Sequence, residues 1–543
     1  MNRKVVFNRK VTYVGVIALL LFPLFRLGQP ATRGTGGGWL AGLRKDFGLA
    51  QAQLGEIDST SETMKLVTLG MRGVAANVLW FRQAEYQKKE DWDNVRATLN
   101  QITTLQPNFI NVWEYQAHNL SYNISVEFDD YRYRYHWVKK GIDFLIDGSH
   151  FNSADPTLLR WTGWYTSHKI GKSDEKLEFR ELFRGDRDWH SDLLEDIPIE
   201  SREALGPDGR PDCWQVGRIW HGMSEDAVAA GHSMRGRAPL IFYSDGPLAR
   251  INYAQSIEDE GWLGEQAQTA WQIALDDLHR FGRRELPTSW GHYTRLDSFY
   301  ELLKERDAYR SQLDALVPGL RDEIRQLKEE ALDHDERVAL QTDMLSRTER
   351  QMMLVAMIPE KLEAKDSDVV DRLPTELKPR GVSLMAKVAE AQTLLEHCDR
   401  YRNIVNYGYW EMRCEAEQTA DAVNARKHVY QALERLKKTD LVNAKQEFEL
   451  AWEYWANVFR DFPALMDDVT GEDLNESINK YEHVLLQMGL TGLPPDFKLK
   501  ELRSKRKAAE RRGPPTGEGQ PPTANLQEIP QPGAPIPVAP PRK

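Results

Sequence analysis

Ala267-Gln268-Thr269-Ala270-Trp271-Gln272-Ile273-Ala274 and, far downstream, Ala444-Lys445-Gln446-Glu447-Phe448-Glu449-Leu450-Ala451 carry the same spacing. Small, large and small side chains at i, i+4 and i+7 fall on one face of a helix. The alanines let a partner helix come close, and the aromatic fills the groove between the two. A pattern that returns at a distance predicts a repeated helical hairpin, and therefore an all-α chain built by stacking.

The bulk composition agrees with that expectation. The chain has 543 residues, 41% hydrophobic and 28% charged, enough for two or more domains with real cores. A formal net charge of −11 argues against a general nucleic-acid binder, which needs a basic footprint. The 16 Trp, 19 Tyr and 18 Phe are read as filling between stacked hairpins. Three cysteines, Cys213, Cys398 and Cys414, make no CxxC or CxxCH pattern, so neither a structural zinc site nor c-type haem attachment is expected. The count excludes a disulfide framework, and the sequence leaves open whether Cys398 and Cys414 meet. No cofactor is predicted.

At the amino end Arg3, Lys4, Arg9 and Lys10 precede Val11 to Phe25, a run without charge. Fifteen helical residues span about 22 Å, short of a full bilayer core unless flanking residues contribute. The following Arg26-Leu27-Gly28-Gln29-Pro30-Ala31 lacks a clean A-x-A site, which favours an uncleaved anchor over a cleaved signal peptide. The basic flank would then stay in the cytoplasm, with the bulk of the chain on the periplasmic side of a bacterial inner membrane. Cleavage would instead release it to the periplasm. Residues 1–32 are thus assigned as flank and anchor, and the Gly-rich 33–58 as a tether.

Residues 59–175 read as successive amphipathic helices. Tyr86 falls in a first helix, Val95, Leu99 and Ile102 form the inner stripe of a second, and Pro107 ends the unit. Trp113 and Ala117 recur where the next first helix would place large and small residues, and Asp155-Pro156 opens a third before Trp161, Gly163, Trp164 and Tyr165. These hairpins resemble the tetratricopeptide family with stretched intervals, although Gln83 stands where that family has Gly. The resemblance implies a concave groove lined by first helices. Mapped here, the candidate partner groove comprises Asn111, Glu114, His118 and Ser121, then Thr162, Thr166 and Lys169, then Asn252 and Ser256.

Gly171-Lys172-Ser173 ends like a phosphate-binding loop, but Thr166 occupies the position of its first glycine and no strand precedes it. Gly171 is read as a helix C-cap. Residues 176–245 break the helical rhythm with Gly206, Gly209, prolines and mixed charge, and carry His190, His221 and His232 near Asp186, Asp188, Asp192, Glu195 and Asp196. No HExxH or GxSxG occurs. If the chain is an enzyme, for example an envelope hydrolase, this irregular insert is the place for its site. No catalytic or metal-binding residue is assigned.

A second hairpin is expected over 246–290. Residues 291–390 are strongly charged, and Pro318-Gly319 between Leu316 and Leu320 predicts an antiparallel helical hairpin arm, of coiled-coil character and able to self-associate. Residues 391–499 form a last helical block, turning at Lys437-Lys438-Thr439-Asp440. From 500 the chain is basic and then Pro-rich to Lys543, and disorder is expected.

Leu69-Gly70-Met71-Arg72-Gly73-Val74-Ala75-Ala76-Asn77-Val78-Leu79-Trp80, Leu105-Gln106-Pro107 and Asn119-Leu120-Ser121-Tyr122-Asn123-Ile124-Ser125 together resemble large membrane-anchored, tetratricopeptide-like proteins of planctomycete-type bacteria. The resemblance covers 60–175 and 245–290, with a weaker echo near 440–500. It implies a helical-repeat fold in the cell envelope and carries over no catalytic residue. The expected function is a membrane-anchored α-solenoid scaffold for protein or peptide partners rather than an enzyme. The alternatives are the envelope hydrolase and a self-associating spacer.

Overall fold

In the computed structural model, aspartates set the helix starts. Asp91, Asp130, Asp155, Asp212, Asp440 and Asp468 each accept a hydrogen bond from a backbone N–H in the first turn of the helix that follows. Such caps satisfy donors that the helix itself cannot, at about 1 kcal/mol each. The structure describes residues 15–16, 19–27, 38–40, 72–89, 91–152, 155–288 and 290–512. The fold is all-α. Among the described residues the named strands, Leu286–Pro287 and Tyr293–Thr294, form a single short antiparallel pair.

The chain divides into two compact units, one holding the residues up to Leu278 and from Glu411 onward, the other His279–Trp410. The first begins with the pair α1 (Arg72–Lys88) and α2 (Trp92–Leu105). Ala75 and Leu79 meet the predicted stripe Val95, Leu99 and Ile102, all three fully buried. The chain continues through α3 (Ile110–His118), α4 (Tyr131–Phe151), α5 (Pro156–Trp164), α6 (Lys176–Gly185), α7 (Arg187–Leu193), α8 (Cys213–Ala229), α9 (Pro239–Asp259) and α10 (Glu265–Gly282). Both Ala–aromatic–Ala stripes are buried: Ala267, Trp271 and Ala274 on α10, and Ala444, Phe448 and Ala451 further on.

The second unit carries α11 (Phe299–Asp314), α12 (Leu320–Glu330), α13 (His334–Gln341), α14 (Glu349–Leu362), α15 (Asp366–Arg372), α16 (Lys378–Ile404) and the start of α17 (Tyr407–Glu417). Its two ends meet where Phe281 packs on Tyr407, with ring centroids 6.3 Å apart. The first unit resumes with α18 (Ala420–Lys437), α19 (Leu441–Asp461), α20 (Val469–Gln487) and α21 (Lys500–Arg512). The turn between α18 and α19 puts Thr439 at φ 60°. Phe448, Trp452, Trp455, Ile478, Tyr481 and Leu502 share the core of this last block.

Four expectations are corrected. The insert at 176–245 is largely helical, holding α6, α7, α8 and the start of α9. Arg180 and Arg184 fasten it through buried ion pairs to Asp212 and Glu260. The charged arm is not one helical hairpin, because α11 runs antiparallel to the long α16. Arg306 bonds Gln392, Lys387 sits over Tyr309, and Leu313 reaches Gly381. Leu313, Ile324, Val369, Val370, Leu373 and Leu384 make one core there. The basic segment after Leu499 is helix α21 rather than disordered chain, since Leu499 and Leu502 are buried and Arg503 donates to Asn475 and Glu482. Gly171 is not a left-handed cap. A Cβ on it would collide with the Trp214 ring, so close approach accounts for the glycine.

No helix among the described residues is long and apolar enough to cross a membrane. Most of 1–32, all but three residues of the 33–58 tether and all of 513–543 lie outside the described residues. The three cysteines are free and buried.

Candidate partner-binding site

Within the first unit, a cavity of about 220 Å³ opens among α9, α18, α19 and α20. Two helices present it with regular faces. Arg426, Val429, Tyr430 and Leu433 on α18 stand at i, i+3, i+4 and i+7, and so do Thr470, Asp473, Leu474 and Ser477 on α20. The C-terminal end of α9 adds Glu258 and Asp259, the following turn adds Leu263, and α19 adds Trp455. That turn requires Gly261, which sits at φ 87° and where a Cβ would lie 2.6 Å from the Tyr430 hydroxyl. The site therefore lies where the turn leading into the helix with the first Ala–aromatic–Ala stripe meets the hairpin that carries the second.

Arg426 organises the charge. Its guanidinium donates to both Glu417 oxygens, with Nε 2.6 Å from Oε2, and Nε also lies 3.4 Å from Glu258 Oε2. The same group stacks over Trp455, 5.4 Å from the ring centroid. Burial alone would raise the Glu417 carboxyl, but Arg426 and Arg413 hold it below the ordinary range. Glu258 goes the other way. Burial pushes it up to about 8 against the pull of Arg426, and the Glu417 carboxylate adds to the rise. Asp473 is raised as well, by burial first. Glu258 is only 8% exposed, and its Oε1 has no hydrogen-bond partner among the described residues. The Trp271 indole stands close enough to favour the carboxylate, yet its N–H is likewise unpartnered.

The residues mapped from the family groove do not form one open face. Glu114, Ser121, Thr162, Thr166 and Asn252 are buried. Thr162 donates to the Leu158 carbonyl, Thr166 to Thr162 and Asn252 to Leu248, so these polar groups are satisfied within their own helices. Ser121 is covered by α4, whose Gly141 leaves no room for a Cβ against it. Glu114 is held by both terminal nitrogens of Arg237. Asn111 stays exposed and Ser256 half-buried.

His118 and Lys169 do come together, around Tyr122. His118 stacks on its ring at 4.9 Å and the Lys169 ammonium lies 4.3 Å from the ring centroid. This meeting depends on two π-helical turns, Asn119–Ile124 and Tyr165–Lys169, that hydrophobic spacing does not announce. Burial and then Lys169 lower His118, and burial lowers Lys169.

In the former insert, His190 and His221 are buried and His232 is exposed. Burial raises the Cys213 thiol, which disfavours the thiolate a nucleophile needs. Among the described residues no group of three or more His, Cys, Asp or Glu is placed to hold a metal ion. In comparison with known proteins, no family model, no curated protein and no solved structure matches this chain.

The cavity was missed because it joins segments far apart in the chain. Its only sequence signal is the mixed polar and apolar face shared by Arg426–Leu433 and Thr470–Ser477.

Proposed function

We propose that the chain is a membrane-anchored scaffold of degenerate tetratricopeptide-like hairpins that binds protein or peptide partners in the cell envelope. The observation that carries this reading is the cavity beside Arg426. It is concave, and Leu263, Val429, Leu433, Leu474 and Trp455 line it beside the polar Glu258, Asp259, Arg426, Tyr430, Thr470, Asp473 and Ser477. Apolar surface together with hydrogen-bonding and charged groups is what a recognition site needs. Its volume, about 220 Å³, lies below the roughly 300–1,000 Å³ of pockets that enclose whole small molecules. It suits one anchoring side chain of a longer partner. The envelope location rests on the basic flank and the uncharged run from Val11 to Phe25.

A peptide array probed with the full-length chain tests the reading. Binding should be lost at least tenfold on Leu433→Trp, which fills the cavity, with the far-ultraviolet circular dichroism unchanged. An array on which no peptide binds, or on which Leu433→Trp binds as wild type does, contradicts it.

A second reading, self-association through 291–390, is favoured by Met344, Met352, Met353 and Met357, all exposed in the second unit. Changing the last three to Gln should then lower the mass in solution without altering peptide capture. An unchanged mass opposes it.

A further inference from the structure

We infer that the partner side chain taken by the cavity beside Arg426 is a basic one, a lysine or arginine. The inference rests on the peptide-binding reading above and names the chemistry of its anchor.

Charge is the first argument. Asp259, Glu417 and Asp473 stand against two guanidiniums, Arg426 and Arg413, and Glu258 adds a fourth carboxyl that becomes charged once its proton leaves. Glu417 is satisfied by Arg426, whereas Glu258 has a 3.4 Å ion contact at Oε2, the Trp271 indole nearby, and no hydrogen bond at Oε1 among the described residues. A buried carboxyl oxygen without a donor is costly, and a donor arriving from outside relieves it.

Shape is the second. The lining combines apolar side chains, Leu263, Val429, Leu433, Leu474 and Trp455, with the carboxyls of Glu258, Asp259 and Asp473, a mixture that suits an apolar stem ending in a cationic head. A metal ion would instead need several oxygen ligands together, and no such set stands among the described residues. An acidic side chain would meet two exposed carboxylates in the lining, Asp259 and Asp473.

Protonation supports the same assignment. Glu258 is pushed up to about 8 because burial, reinforced by the Glu417 carboxylate, outweighs Arg426, the Trp271 indole and Arg413, so it holds its proton at neutral pH. Asp473 is faced by Arg426, Arg413, Glu476 and Asp259. An incoming cation restores the Glu258 carboxylate and displaces one proton, so binding should tighten as pH rises. Lysine and arginine themselves stay charged over the useful range.

The test takes peptides that bind the full-length chain and varies one position at a time through Arg, Lys, norleucine, Gln and Glu. One position should retain affinity with Arg or Lys and lose about tenfold or more with norleucine or Glu. Affinity of the basic peptides should rise on the order of tenfold from pH 6.5 to 8.5, and Glu258→Gln should abolish that dependence. Should Glu258→Gln fail to fold, the double variant Asp259→Asn, Asp473→Asn changes only exposed carboxylates. It should weaken basic peptides about tenfold and leave norleucine peptides unchanged. Peptides that bind equally well with norleucine or Glu at every position overturn the basic anchor while peptide binding stands. Absence of any bound peptide overturns the scaffold reading itself, and the anchor with it.

Discussion

Glu258 makes the cavity pH-sensitive even without a partner. Its folded value, about 8, stands above the roughly 4.3 of a free glutamate. Its contribution to stability is therefore full below pH 4 and is lost as pH rises toward 8. Buried His168 and His221 act in the opposite sense, because burial lowers them and their contribution fades as pH falls. The informative quantity is thus the difference between Glu258→Gln and wild type. We expect the variant to gain on the order of 3–4 kcal/mol relative to wild type between pH 5 and pH 8, read from urea unfolding at each pH. A difference that stays flat with pH would show that Glu258 is not held protonated. Apolar residues were legible at this scale: Trp271, Phe448, Val95, Leu99 and Ile102 all lie where helical spacing puts them, in cores. Polar residues were less so. Thr162 and Asn252 looked solvent-facing, but a short polar side chain can bond the carbonyl four residues back and be buried.

Helices with strong apolar stripes were read correctly, and those whose burial depends on a few residues were not. Helix α21 shows why. Its composition is so basic that Leu499 and Leu502 are easily overlooked, yet both are buried and Leu502 is wholly so. Arg506 secures the helix further by donating to the carbonyls of Met466 and Asp468. Leu502→Ala should cost about 2–5 kcal/mol, the usual cost of emptying a buried leucine site. Denaturant unfolding of the full chain, with hydrogen exchange over 470–512, reads that loss. No loss would mean that α21 is not packed as described. The π-helical turns at Asn119–Ile124 and Tyr165–Lys169 lie beyond pattern reading for another reason. Each inserts an extra residue per turn, so residues expected on one face are rotated onto the next. His118 and Lys169 meet around Tyr122 as a result.

At the scale of the whole molecule, the repeated Ala–aromatic–Ala signature predicted an all-α chain, and the chain is all-α. The sequence did not reveal that both copies belong to one unit, with His279–Trp410 forming another between them in the chain. Nothing local marks that arrangement, because the chain passes from one unit to the other inside helices α10 and α17 rather than through Pro- or Gly-rich linkers. The cavity draws on both neighbourhoods of the signature, with Glu258 to Leu263 before the first copy and Arg426 to Trp455 around the second. The central claim is that partners dock there through a basic side chain. Hydrogen exchange of the full-length chain with and without an arginine-anchored peptide tests it most directly. We predict protection confined to 258–263, 426–433 and 470–477, and reduced, at a peptide concentration near the wild-type dissociation constant, in the Asp259→Asn, Asp473→Asn variant. Protection centred elsewhere, or equal protection in that variant, would contradict the account.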